Sequence, residues 1–352
     1  MNELGRLHFA LMCNRSNGGF FSGLTLIDEL QPYVDLCVWN LVPQHDDSLL
    51  SLFANRSLTV NQAQPCIELE PGDHVFFYMN EYPTLWRNFS RAWQSALCHA
   101  DSIQIAFNRT VGAMPLETWL APHLTHLYFQ DTHMHAEWRT LVKGTGLRST
   151  PVSILPPPVN ISGFLTTEKH ATKNPEEPVI IGRLAGDGDV PENAIDFYTE
   201  LATALPEAVF WFMPAPTRLA EALQGHPQFH FFAPNEISPL AFLRATDIYL
   251  LTYAPMVPIP GPRSLVEAMA AQCAPVVVNR DGPQRRVVHG KSGFCFDTDL
   301  ECRSHVAQLV RDPTLRERIS KAAHARALSF KLSDWTDQIL QYCAADRKTP
   351  TS

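Results

Sequence analysis

An α/β fold repeated in two halves is the class this sequence predicts, and three observations carry it. Short apolar runs of strand length recur along the chain, among them RLHFALMC (6–13), DHVFFYMN (73–80), VIIGRL (179–184) and APVVVN (274–279). Such runs, bounded by turn residues, read as strands buried on both faces of a parallel sheet. The first run is followed by a glycine-rich turn, NRSNGGFFSG (14–23), and a helical segment, LTLIDEL (24–30), the opening of a βαβ unit. A polar, proline-flanked stretch, TTEKHATKNPEEP (166–178), interrupts the alternation and reads as a linker. A length of 352 residues suits two domains of about 150 residues each. The expected division is a first domain over 1–165, the linker 166–178, a second domain over 179–325, and a helical C-terminal segment over 326–352.

In the first half, CVWNLV (37–42) and SLTV (57–60) continue as strands after the first helix. Three strongly apolar strands follow, 73–80, SIQIAFN (102–108) and HLYFQD (126–131), and then VSILPPPVN (152–160), stopped by its prolines. The second half opens with the strand 179–184 running into GDGD (186–189), a glycine turn. PENAIDFYTELATAL (191–205) is a helix: Pro191 suits its first turn, and Ala194, Tyr198, Leu201, Ala202 and Leu205 share one face. AVFWFMP (208–214), FHFFAP (229–234) and IYLLTYA (248–254) are strands, and PLAFLRATD (239–247) is a short helix. After 274–279 and GFCF (293–296), helices fill the remainder from about residue 301, FKLSDWTDQILQYCA (330–344) among them. His8 and His230 open their strands and read as edge residues without chemistry.

Composition removes several function classes. Apolar residues make up 45% and charged residues 18%, a globular balance. The net charge of −8 gives no cationic surface for nucleic acid, although a local basic pocket for phosphate stays open. There is neither a signal-peptide pattern nor an apolar run of about 18 residues, so a cytoplasmic location is expected; peripheral contact with a membrane is compatible with it. The eight cysteines are scattered without a CxxC pair and read as reduced thiols.

The richest stretch is YAPMVPIPGPRSLVEAMAAQCAPVVVNRDG (253–282). A proline-rich loop closes with Gly261, Pro262, Arg263 and Ser264, and a helix runs from Ser264 to Gln272 into the next strand. Ser264 reads as the N-cap, with Leu265 in the first turn and Glu267 at the capping-box position. The start of this helix lies outside the carboxyl end of a strand, where α/β sheets bind ligands and free N–H groups attract phosphate. Glu267 has two readings, a capping carboxylate or an acceptor for two ribose hydroxyls. Arg263 is a surface charge or a phosphate ligand.

In order and spacing, GRL (182–184), FLRATDIYLLTYA (242–254), SLVEAMAAQCAPVVVNRDG (264–282) and VVHGKSGF (287–294) resemble the second domain of retaining GT-B glycosyltransferases of the GT4 type. The first half carries a weaker likeness, in Gly18-Gly19 and in 152–160. The resemblance implies two facing Rossmann-like domains with a central cleft and a nucleoside-diphosphate sugar, UDP- or GDP-linked, as donor on the second. It implies an acceptor on the first domain and neither a catalytic metal nor a further cofactor. It places Glu267 on the donor ribose and Arg183 on the diphosphate, with the N–H groups of Gly18 and Gly19 close to phosphate or sugar. The activity implied is transfer of a hexose, with retention, to a hydroxyl of a glycan, lipid-linked or small-molecule acceptor.

Three positions depart from that pattern. Ile259 stands where the family has an acid on the transferred sugar, Gly188 where it often has a lysine, and Arg285, followed by Arg286, where it has a glutamate. Arg263, Arg285 or Arg286 is then expected to replace the lysine at the diphosphate. The departure at Ile259 keeps a second reading open, a glycosyltransferase-like binding subunit that supports a partner enzyme. A nucleotide-sugar epimerase on the same plan is a third.

Other polar groups sit at strand ends. Asn80-Glu81 and Asn108-Arg109 follow apolar strands and are expected at the cleft edge, Glu81 orienting an acceptor hydroxyl and Asn108 and Arg109 facing the donor sugar. DTHMH (131–135) places Asp131, His133 and His135 two apart. On an extended chain they share a face, but a metal reading lacks a fourth ligand. His133 facing substrate, or ordinary capping and packing, are the alternatives. The terminal helix is expected to cross back onto the first domain.

Overall fold

The structure is a computed structural model of the chain that describes residues 5–12, 18–40, 53, 60–62, 67–79, 91–107, 118–143, 146–165, 177–184, 191, 193–234, 236–252 and 262–344. Two compact units divide it, Met1–Pro158 with Lys331–Ser352 and Val159–Phe330. The boundary falls seven residues before the start of the polar stretch at 166, because Ile161 and Phe164 pack into the second unit's core. The linker expected at 166–178 falls largely outside the described residues.

The first unit is built from β1 (Leu7–Met12), α1 (Gly18–Leu30), β2 (Leu36–Asn40), β3 (Val60–Gln62), β4 (His74–Met79), α2 (Arg91–Leu97), β5 (Ser102–Phe107), β6 (Leu124–Phe129), α3 (Thr132–Leu141) and β7 (Val152–Ile154). The seven strands lie in the order β3-β2-β1-β4-β5-β6-β7, and the pairs are parallel. Every residue of β4 and β5 is buried, the expected signature of inner parallel strands.

Helix α1 begins at Gly18, six residues earlier than the sequence suggests. Its apolar stripe explains the difference: Phe20, Leu24, Ile27 and Leu30 recur at helical spacing and are all buried, so packing offsets the poor propensity of two leading glycines. The DTHMH segment is not extended. Asp131 caps α3 by accepting from the N–H of Met134 at 2.9 Å, which places His133 and His135 on a helix.

The second unit runs β8 (Val179–Leu184), α4 (Ala194–Ala204), β9 (Ala208–Met213), α5 (Thr217–Leu223), β10 (Phe229–Phe231), α6 (Pro239–Ala245), β11 (Ile248–Leu251), α7 (Arg263–Ala270), β12 (Ala274–Val278), α8 (Asp281–Arg286), β13 (Phe294–Phe296), α9 (Asp299–Arg311) and α10 (Pro313–Ala327). Its parallel strands lie in the order β10-β9-β8-β11-β12-β13. Helix α4 buries Ala194, Phe197, Tyr198, Leu201 and Ala202, the face its periodicity indicates. Two short helices, α5 and α8, are absent from the sequence reading; α8 carries a Gly-Pro pair in its first turn, where proline costs least.

Two glycines of this unit are required by space. A Cβ on Gly182 would lie 2.4 Å from Thr246 Oγ1 and 2.7 Å from its Cγ2. Gly293 has φ +150°, and a Cβ there would lie 2.6 Å from both Pro275 and Val287.

The last helix, α11 (Ser333–Leu340), belongs to the first unit. Trp335 and Ile339 join the core formed by β1, β4 and α1. The hydroxyl of buried Tyr128 lies 2.7 Å from Gln104 Oε1 and 3.0 Å from the Gln338 carbonyl and has one proton to share between them, while Gln104 Nε2 donates to the Ile339 carbonyl at 3.3 Å. Side chains of β5 and β6 thus reach carbonyls in the last turn of this helix and tie it to the sheet.

Candidate functional site

The strand order of the second unit has a reversal point. From its centre, β8, β9 and β10 proceed one way and β11, β12 and β13 the other. The crevice outside the carboxyl ends of β8 and β11 is thus the topological switch point, where open parallel sheets bind ligands. Arg183 is the penultimate residue of β8, Thr252 follows β11, and α7 is the next described element after β11.

Tyr249 braces this crevice. It lies opposite Gly182 in the β8–β11 pairing, and its side chain is buried. Its hydroxyl donates to the Leu184 carbonyl at 2.9 Å and lies 2.7 Å from Ser264 Oγ. A phenol has one proton, so with Leu184 taking it, the Ser264 hydroxyl donates to Tyr249. Ser264 is therefore not the N-cap. The cap is Pro262, without a side-chain hydrogen bond, and α7 starts at Arg263. Glu267 falls two positions past the capping-box site, and the capping reading of this carboxylate is set aside.

Glu267 instead pairs with Arg263. The Nε of Arg263 stands 2.5 Å from Glu267 Oε1, with side chains 20% and 8% exposed. Leu265 is wholly buried in the core, and its N–H is bonded to the Pro262 carbonyl at 3.1 Å. Arg183 is only 2% exposed. Its charge reaches the phenol of Tyr198, which lies 3.1 Å from Thr252 Oγ1 and which burial pushes up to about 12.

A second cationic cluster follows β12. Arg326 of α10 donates from Nη2 to the Arg285 carbonyl at 2.8 Å and from Nε to the Arg286 carbonyl at 2.5 Å. The guanidinium carbons of Arg286 and Arg326 lie 5.5 and 5.4 Å from the centre of the Phe330 ring. Arg286 is buried, whereas Arg285 is half-buried at the end of α8. Gly261, Ile259 and Gly188 lie outside the described residues, as do Asp187 and Asp189.

In the first unit the switch point lies between β1 and β4. Gly18 and Gly19 are the first residues of α1, which follows the carboxyl end of β1. Glu81, Asn108 and Arg109 lie outside the described residues. His133 is half exposed on α3, with Nε2 3.3 Å from Glu137 Oε1. His8 is a correction: it is buried, and its Nε2 lies 3.0 Å from Asp73 Oδ2.

Tyr249, Tyr198 and Arg326 are parts of these arrangements that sequence reasoning passed over. Tyr249 alone carried a signal, as the only polar-tipped side chain within the apolar run IYLL of β11.

Comparison with known proteins adds a likeness to a family over part of the chain, and a fold. Residues 217–326 match the family described as Glycosyl transferases group 1. No curated protein matches the chain. Among solved structures, Anabaena HepE in complex with UDP and glucose is 14% identical, with a TM-score of 0.70 over 96% of this chain and 98% of that one. A glycosyltransferase from Rickettsia africae is 12% identical, with a TM-score of 0.71 over 99% and 100%. Staphylococcus aureus TarM, in complex with UDP and other ligands, is 8% identical, with a TM-score of 0.68 over 97% and 100%. The fold is α/β, that of GT-B glycosyltransferases, and the stretch that carries α7 and its buried carboxylate is similar to glycosyl transferases group 1.

Proposed function

We propose that the protein is a glycosyltransferase that moves a hexose from a nucleoside-diphosphate sugar, UDP- or GDP-linked, to a hydroxyl of a glycan, lipid-linked or small-molecule acceptor. The observation that carries this reading is the buried carboxylate of Glu267, on the helix that follows β11 at the switch point. A buried carboxylate at the mouth of a parallel sheet suits a ribose diol, and Arg183 on the neighbouring strand supplies positive charge for the diphosphate. The nucleotides in HepE and TarM support the same reading by analogy of fold.

The reaction proposed breaks the bond between the anomeric carbon and the diphosphate oxygen and forms one to the acceptor oxygen. Negative charge grows on the leaving nucleoside diphosphate, where Arg183 and one of Arg263, Arg285 and Arg286 stabilise it. Gly18 and Gly19 bring backbone N–H groups to phosphate or sugar. Asn108, Arg109, Glu81 and His133 are assigned to the sugar and acceptor side. Retention through a front-face route, in which the leaving phosphate takes the acceptor proton, requires neither a metal nor an acid at Ile259. A cytoplasmic location belongs to the same proposal.

The test is incubation with UDP-glucose, UDP-N-acetylglucosamine and GDP-mannose, with and without a panel of sugar and lipid acceptors. Acceptor-dependent release of UDP or GDP, with an anomeric centre retained by NMR, is the expected result. Donor binding without turnover on any acceptor would favour the non-catalytic binding subunit, and no donor binding at all would remove the reading.

A further inference from the structure

We infer that Arg263 is a positioning residue for the ribose of the nucleotide, acting through Glu267 rather than on the phosphates. The inference rests on the proposed nucleotide site and deepens it. Arg263 occupies the first position of α7, and Glu267 lies one turn on. Its Nε stands 2.5 Å from Glu267 Oε1, and the two side chains are 20% and 8% exposed. Among the described residues no group donates to the second oxygen, Oε2. Among these residues the carboxylate is held by one oxygen, and the other is left to a ligand in this proposal.

Helix stability does not account for the pair. A cation in the first turn opposes the helix dipole, whose positive end is there. The order is also the less favourable one, since an acid preceding a base by four residues stabilises a helix better than the reverse. Pro262 supplies no side-chain cap that would make the first turn depend on Arg263. What the pair does achieve is geometric. Arginine presents its donors in a rigid plane, so a contact through Nε fixes the direction of the carboxylate as well as its charge. A vicinal diol recognised by Oε2 and the outer lone pair of Oε1 needs that direction fixed, because a carboxylate free to rotate loses one of its two hydrogen bonds.

This assignment separates Arg263 from a phosphate ligand by which part of the nucleotide responds. The experiment titrates UDP and GDP, their 2′,3′-dideoxy counterparts and inorganic pyrophosphate into the wild type, Arg263→Gln, Arg263→Lys, Glu267→Gln and the Arg263→Gln/Glu267→Gln double variant. Thermal melting without ligand precedes it, so that only folded variants are compared. The tighter of UDP and GDP is expected to bind Arg263→Gln about 10- to 100-fold more weakly. Its dideoxy counterpart and pyrophosphate are expected to bind within about twofold of the wild type. The double variant should be no more than about twofold weaker than Glu267→Gln, since both remove one unit. With an active donor–acceptor pair, KM for the donor rises while kcat stays within about twofold. Arg263→Lys keeps the charge without the plane and should recover part of the loss; if Arg263→Gln does not fold, the lysine variant carries the same comparison at smaller amplitude.

Equal weakening of the dideoxy nucleotide and pyrophosphate would make Arg263 a phosphate ligand and overturn the inference. So would Arg263→Gln affinity within twofold of the wild type while Glu267→Gln binds weakly; the proposed function would then stand. If the wild type binds neither nucleotide, both fall together.

Discussion

A buried polar cluster in the first unit contrasts with one in the second. In the first unit His8, Asp73, His74 and Ser102 lie at the amino ends of the strands and each has a partner there. His8, the second residue of β1, has Nε2 3.0 Å from Asp73 Oδ2, and its Nδ1 accepts from Trp39 Nε1 at 3.0 Å. An indole N–H only donates, so Nδ1 is bare, Nε2 carries the proton, and the ring is neutral. Asp73 also accepts from the Glu70 N–H at 2.8 Å, and His74 at the start of β4 lies 2.8 Å from Ser102 Oγ at the start of β5. In the second unit the buried charges of Arg183 and Glu267 stand at the carboxyl side, and Glu267 keeps an oxygen that no described residue bonds. Burying a polar group is costly unless it is satisfied. A closed cluster therefore serves the fold, and the partly open one at the switch point is the place the proposed function gives to the nucleotide.

The contrast can be broken most forcefully at Glu267. Glu267→Gln removes an acceptor charge from two expected ribose hydrogen bonds, and nucleoside diphosphate affinity should fall by about 2–3 kcal/mol, roughly 30- to 150-fold, in a calorimetric titration. Next in size is Gly182→Ala. Its Cβ would press on Thr246, which is fixed by its own bond to the Phe242 carbonyl at 2.8 Å. Overpacking of this kind should cost about 1–3 kcal/mol in denaturant unfolding. Tyr249→Phe removes the brace between Leu184 and Ser264, with an expected loss of about 1–2 kcal/mol in stability and a weaker response to nucleotide. Unchanged nucleotide affinity in a folded Tyr249→Phe protein would show that the brace does not shape the site.

The smallest effect expected is acid sensitivity of the first unit. Burial lowers the pKa of His8 below its ordinary 6.5, and burial lowers that of His74 as well. Between the lowered value and 6.5 the unfolded chain binds more protons than the folded one, so stability rises with pH through that window. It is lost as pH falls below about 6.5. The drop in melting temperature between pH 7.5 and 5.5 should be smaller in His8→Gln; an equal drop would place the sensitivity elsewhere.

Much of this architecture was legible in the residues, and the exceptions have physical causes. VIIGRL runs as β8 over the span its apolar run marks, because an inner parallel strand needs nothing beyond continuous burial. The start of α1 was not legible, since Gly18-Gly19 argues for a turn by local propensity and only the packing of Phe20 and Leu24 argues otherwise. Glu267 three residues after a serine has the form of a capping box, yet Pro262 takes the cap and Ser264 turns to Tyr249. The choice depended on a tyrosine fifteen residues upstream, which spacing within one helix cannot report. The DTHMH run does follow a strand end, and of its alternatives the capping one holds: an aspartate that caps a helix and one that faces a ligand look alike until the N–H it accepts from is known.

Hydrogen exchange with and without nucleotide tests the central claim most directly, that the carboxyl ends of β8 and β11 form the nucleotide site. Backbone amides slow where binding suppresses local opening. With saturating UDP or GDP, amides over 179–184 and 263–270 should exchange more slowly, the effect should vanish in Glu267→Gln, and the amino-end cluster at His8 and Asp73 should be unaffected. Protection that avoids 263–270, or that survives unchanged in Glu267→Gln, would contradict the account.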